Sequence, residues 1–219
     1  MPVHLRRRTR RAFSLIEIIV VITVLGVLAA ILVPVIASAR ASARSTHCVS
    51  NLQQLGRAFA VYAQEHNNCL PAPVDPAGTG TPWYAAIHPY AGRPWTGDMT
   101  RLAPVFSCPT WQALDTNVPA VDNIGYSMSA QLGSVPSLTR PVPIASIAQP
   151  SRTVLLLEMS GPESIVFPTT AAPGPAFAAW YTSTHGAQGC ERHDGSANYL
   201  FVDGHVGHLS PTSARTVLE

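Results

Sequence analysis

The sequence predicts an α+β fold: one long N-terminal helix, its first half apolar on every face, lays its second half on a small antiparallel β-sheet with long loops. Three observations predict it. Phe13 to Ala37 is a nearly uninterrupted apolar run. Leu52, Leu55, Phe59 and Tyr62 then recur three, four and three residues apart, which keeps them on one helical face. Strand patterns follow only later, as the run Thr153–Glu158 and as two short runs joined by Asp203-Gly204.

Residues 1–12 form a basic leader with Arg6, Arg7, Arg8, Arg10 and Arg11 and no acid. Such a cluster holds this end in the cytoplasm and sends the C-terminal part across the membrane, so the head is expected to be extracytoplasmic. Residues 13–37 are the transmembrane segment, 25 residues against the roughly 20 that a bilayer needs. Its length exceeds the core of an ordinary signal peptide. Thr9-Arg10-Arg11-Ala12-Phe13-Ser14-Leu15 does resemble a twin-arginine export motif, and Ala37-Ser38-Ala39 and Ala41-Ser42-Ala43 satisfy a small-x-small cleavage pattern. Length, hydrophobicity and Glu17 argue against both. An acid at such a place is costly, and it is read as functional by default. Pro34 removes an intrahelical hydrogen bond and should bend or loosen the helix there.

Residues 38–66 continue the helix as its exported half, to a total of roughly 80 Å at 1.5 Å per residue. Asn67-Asn68 and then Pro71 and Pro73 end it. Residues 67–219 form the head. Its stretch 71–150 holds most of the 20 prolines and reads as loops with short helices, one of them at Trp83–His88. The apolar run up to Glu158 reads as a strand covered by the helix. Asn198–Val202, Asp203-Gly204 and His205–Leu209 read as a hairpin in which both turn residues take positive φ.

Charged residues make up 12% of the chain, about half the usual share, because one block is not built for water. Outside the leader, 9 basic residues face 12 acidic ones, so there is no electrostatic case for nucleic-acid binding. Cys48, Cys69, Cys108 and Cys190 lack paired CxxC spacing. In an oxidising compartment two disulfides fit them, in any of three connectivities, although a helix between Cys48 and Cys69 would hold those two apart. Reduced cysteines in apolar niches are the alternative. His193, Asp203 and His205 are candidate ligands for a structural cation, and His193 with Asp203 is a candidate acid–base pair. No HExxH and no nucleophile motif accompanies them, so no catalytic residue and no cofactor is expected. A structural role, with His193 hydrogen-bonded across the hairpin, is the simpler reading.

Together these segments resemble bacterial type IV prepilins and pseudopilins, and specifically prepilin-like proteins with a C-terminal H-x9-DG motif. The resemblance begins at Arg11-Ala12-Phe13-Ser14-Leu15-Ile16-Glu17, which is similar to the prepilin cleavage and methylation segment, departing from it at Ala12, where Gly is usual, and Ser14, where Thr is common. It continues through Cys48–Gly56, the Cys108-Pro109 element and Pro150–Leu155. It ends with His193, nine residues, and Asp203-Gly204, with Asn198 between.

The resemblance implies a pilin-like fold and a structural subunit of a type II secretion-like pseudopilus or a type IV pilus. It implies that prepilin peptidase cuts between Ala12 and Phe13 and methylates the new amine. Glu17 then becomes the fifth mature residue and Pro34 the twenty-second, both positions where pilins carry those residue types. The expected partners are the peptidase, the inner membrane and other pilin-like subunits packed against the N-terminal helix. The alternative is a membrane-anchored or secreted metal-binding or hydrolytic domain that uses the His-rich C-terminal region.

Overall fold

The computed structural model describes residues 15–73, 82–98, 101–114, 124–129, 132, 140–158, 165–166 and 192–210. The chain divides into a unit ending at Ser42 and a larger one beginning at Ala43. Helix α1, Leu15–Glu65, contributes to both and is continuous through Pro34. In the first unit every described residue is exposed, including Leu15, Ile16, Val20, Leu25 and Ile31. By length and composition this helix is able to cross a membrane.

The second unit is built on the rest of α1. Cys48, Leu52, Leu55, Ala58, Phe59 and Ala63 are buried, and the stripe follows helical spacing. Tyr62, expected on the same face, is partly buried at its edge. The helix ends as a Schellman turn. Asn68 N–H donates to Ala63 C=O at 2.8 Å, and Asn67 and Asn68 take φ of 55° and 56°. Asparagine tolerates this left-handed region better than most residues, which is why the Asn-Asn pair is an effective stop.

Seven strands follow among the described residues: β1 Cys69–Leu70, β2 Tyr126–Ser129, β3 Val142–Pro143, β4 Val154–Glu158, β5 Ile165–Val166, β6 Ala197–Phe201 and β7 Val206–Leu209. β1 pairs antiparallel with β3. The others form one sheet in the order β5-β2-β4-β6-β7, antiparallel except for β5, which runs parallel to β2 at the edge. Helices α2, Trp83–Ile87, and α3, Pro109–Leu114, sit in the connections. The core joins Leu52, Leu55 and Phe59 of α1 to Met128, Leu156 and Leu200 of the sheet, with Trp83 and Phe106 from the loop layer. Phe59 stacks on Trp83 at 5.7 Å between ring centroids.

This is the α+β, pilin-like architecture that the sequence predicts. Two local readings are corrected. Residues 71–150 are not only loops and short helices, since β2 lies between β5 and β4 in the sheet. The turn of the β6–β7 hairpin is not a two-residue Asp-Gly turn. Gly204 N–H donates to Phe201 C=O at 2.9 Å and Gly204 alone takes a positive φ, 92°, giving a three-residue loop with the glycine at its left-handed position. The tight Asp-Gly turn occurs instead at Asp194-Gly195, where φ is 51° and 80° and His193 and Ser196 exchange both backbone hydrogen bonds.

Candidate functional site

Two places concentrate the functional residue types. The first is the start of α1. Glu17 lies in its first turn and is exposed, whereas Ala12 and Phe13 fall outside the described residues. Pro34 carries no N–H, so the carbonyl of Ala30, one turn earlier, has no intrahelical donor.

The second is a buried polar cluster inside the head, centred on Glu158 at the end of β4. Its side chain is 0% exposed. Oε2 accepts the Asn198 backbone N–H at 2.8 Å, and Oε1 accepts Asn198 Nδ2–H at 3.1 Å and pairs with His193 Nε2 at 2.9 Å. A carboxylate removed from water is tolerated only when its lone pairs are met in this way. Asn198 is held in turn, because its Oδ1 meets His208 Nδ1 at 2.8 Å. β6 supplies Asn198, β7 supplies His208, and the tight turn before β6 carries His193 inward.

A disulfide between Cys48 of α1 and Cys108 borders the cluster, with the two Cα atoms 5.1 Å apart. Cys108 Sγ is 3.7 Å from Glu158 Oε1 and 3.9 Å from His193 Nε2. Asn51, one turn after Cys48, donates from Nδ2 to the Ser107 carbonyl at 2.8 Å and so fixes the same junction. Beside it Tyr126 donates its hydroxyl to the Cys48 carbonyl at 3.2 Å. Burial, reinforced by the Glu158 charge, drives the Tyr126 phenol far above its ordinary range, so it remains a donor. Arg192 is also buried, donates from Nη1 to the Gly125 carbonyl at 3.1 Å, and lies 5.2 Å from the Trp111 ring centroid.

Gly125 makes the close approach of β2 to Cys108 feasible. A Cβ at this position would lie 2.6 Å from the Cys108 backbone nitrogen, a clash that only backbone movement relieves. Gly125→Ala is therefore expected to destabilise the head by about 1–3 kcal/mol, the usual cost of overpacking. A tryptophan-fluorescence urea titration of the full chain in detergent should show the lowered midpoint; an unchanged one would mean that the strand yields freely.

His193, Asn198, Asp203 and Gly204 are thus split between two places. His193 and Asn198 enter the buried cluster. Asp203 and Gly204 form the exposed hairpin turn, where Asp203 Oδ1 accepts the His205 N–H at 3.1 Å and meets His205 Nδ1 at 2.6 Å. His193 is hydrogen-bonded to Glu158 rather than Asp203, and of the three candidate cation ligands only His193 belongs to the cluster. Among the described residues Cys48 pairs with Cys108 and Cys69 is free, and Cys190 lies outside the described residues. Sequence reasoning missed Glu158 as a site residue and took it for a strand end. The available signal was an acid closing the apolar run Val154-Leu155-Leu156-Leu157.

Comparison with known proteins agrees with the first of these places. Residues 7–33 match the model of the prokaryotic N-terminal methylation motif. No curated protein and no solved structure matches the chain. A second family model, described as protein of unknown function (DUF1559), matches residues 37–188, more than half of the sequence, and so the chain belongs to that family and is a type IV pilin-like protein.

Proposed function

We propose that this protein is a non-catalytic building block of a pseudopilus of the type II secretion kind or of a type IV pilus. Prepilin peptidase would process it between Ala12 and Phe13, and the head would stand outside the cytoplasmic face of the inner membrane. The observation that carries this reading is the methylation-motif match over residues 7–33, laid on a helix that is apolar and exposed from Leu15 to Ala37 apart from Glu17 and Thr23. Such a surface needs lipid or neighbouring helices against it.

Glu17 has a physical role in this scheme. After cleavage the Phe13 amine lies in a medium of low dielectric, and the carboxylate of a neighbouring subunit neutralises it. Removing one partner of a buried pair costs about 3–5 kcal/mol. Glu17→Ala is expected to leave cleavage intact and to lower incorporation into filaments by roughly a hundredfold or more. Equal incorporation of the variant in sheared or membrane-retained filaments would rule out the pairing.

Mass spectrometry of the mature N-terminus tests the processing. Methyl-Phe13 is expected. A start at Arg40 or Arg44 would indicate a cleavable export signal, and an intact Met1 a plain membrane anchor; either would overturn the reading.

A further inference from the structure

We infer that the head, when Cys48 and Cys108 are reduced, is a binding site for one thiophilic divalent cation of the zinc class, held by Cys48 Sγ, Cys108 Sγ, His193 Nε2 and Glu158 Oε1. The ligand atoms of these four residues all lie within 4.8 Å of one another, and all four residues are buried. Zinc takes four ligands tetrahedrally at about 2.0–2.3 Å, which sets its donors roughly 3.3–3.8 Å apart. The separations of 3.7 Å from Cys108 Sγ to Glu158 Oε1, 3.9 Å from Cys108 Sγ to His193 Nε2 and 2.9 Å from His193 Nε2 to Glu158 Oε1 are close to that arrangement. Opening of the disulfide lets the two sulfurs separate by side-chain rotation toward it.

The surroundings are those of a ligand shell. Asn198 orients Glu158 with two hydrogen bonds, and His208 orients Asn198. Thr110 Oγ1, 3.8 Å from Cys48 Sγ, can donate to a thiolate there. Two thiolates and a carboxylate around a divalent ion leave one negative charge, and the buried Arg192 guanidinium lies next in sequence to the ligand His193. The softness of two sulfurs selects zinc-class ions over calcium or magnesium.

The chemistry balances without an added reductant, because the newly made chain carries thiols. In one branch the dithiol binds the cation and releases two protons. In the other it reacts by exchange with a small-molecule disulfide: the Cys48–Cys108 bond forms, the two electrons pass to the reagent, and two reagent thiols leave. The cation-bound and disulfide forms are therefore mutually exclusive states of the same four residues.

The test uses the full chain in detergent. A trialkylphosphine reduces the disulfide, being oxidised to its phosphine oxide with oxygen from water, and a chelator then removes residual metal. Cobalt(II) titration is expected to saturate at one ion per chain, with thiolate-to-cobalt charge-transfer bands and intense tetrahedral ligand-field bands, and zinc(II) should displace it. The oxidised chain should take up no cobalt at this site, a comparison that requires no substitution. Asn198→Ala should weaken binding about 10- to 100-fold, and His193→Ala should abolish the tetrahedral spectrum, whereas Asp203→Ala and His205→Ala should leave it unchanged. Absence of the charge-transfer bands in the reduced chain, equal binding by the oxidised chain, or a spectrum that survives His193→Ala would overturn the proposal.

Discussion

Glu158→Ala is expected to cost the head about 3–5 kcal/mol, as for other buried charged groups stripped of a partner. The damage comes from what remains. Asn198 N–H, Asn198 Nδ2 and His193 Nε2 all converge on this carboxylate in a place that water does not reach. Alanine leaves them without it and opens a cavity between β4 and β6. At about 2–4 °C per kcal/mol for a domain of this size, the melting temperature should fall by roughly 6–20 °C. Near-ultraviolet circular dichroism reports the head through Trp83 and Trp111, which are buried there. Glu158→Gln should be milder, since one oxygen remains an acceptor while the new amide confronts the Asn198 donors. A Glu158→Ala chain that melts with the wild type would show that the cluster contributes nothing to the fold.

The second large effect belongs to the cross-link between α1 and the connection that leads into α3. Cys48 and Cys108 are 60 residues apart, and closing a loop of that length in the unfolded chain corresponds to about 4 kcal/mol in the chain-entropy view. Reduction, or the double substitution Cys48→Ala/Cys108→Ala, should lower the urea midpoint accordingly in the presence of a chelator. The cation proposal separates these two cases. Excess zinc at about a hundred times its dissociation constant should return roughly 2.7 kcal/mol to the reduced wild type and nothing to the double variant. Identical urea midpoints for oxidised and reduced chains would remove the cross-link from the account of stability.

Much of this was legible along the chain. An apolar run long enough for a bilayer, a helical stripe at Leu52, Leu55 and Phe59, and an Asn-Asn stop each express a local rule. The structure follows those rules in α1. β2 was not read from the chain, because Tyr126-Ser127-Met128-Ser129 alternates apolar and polar residues over only four positions, too few to stand out, and its state depends on pairing with β4 and β5. The hairpin was legible but its turn was not. Two Asp-Gly pairs occur within eleven residues, and only tertiary context assigns the double left-handed turn to Asp194-Gly195 and the single left-handed glycine to Gly204.

By itself the sequence determined the division into an apolar helix and a mixed head, the place of Glu17 in the first turn of that helix, and the family resemblance. These depend on composition, on periods of 3.6 and 2, and on short motifs, all of which are read from neighbours in the chain. Only the tertiary structure decided that Glu158 belongs with His193, Asn198, Cys48 and Cys108, and that Asp203 does not. Glu158 is separated from His193 by 35 residues and from Cys108 by 50, and no local period links such distances. The link is burial: a carboxylate closed off from water must be met by whichever polar groups the fold carries to it.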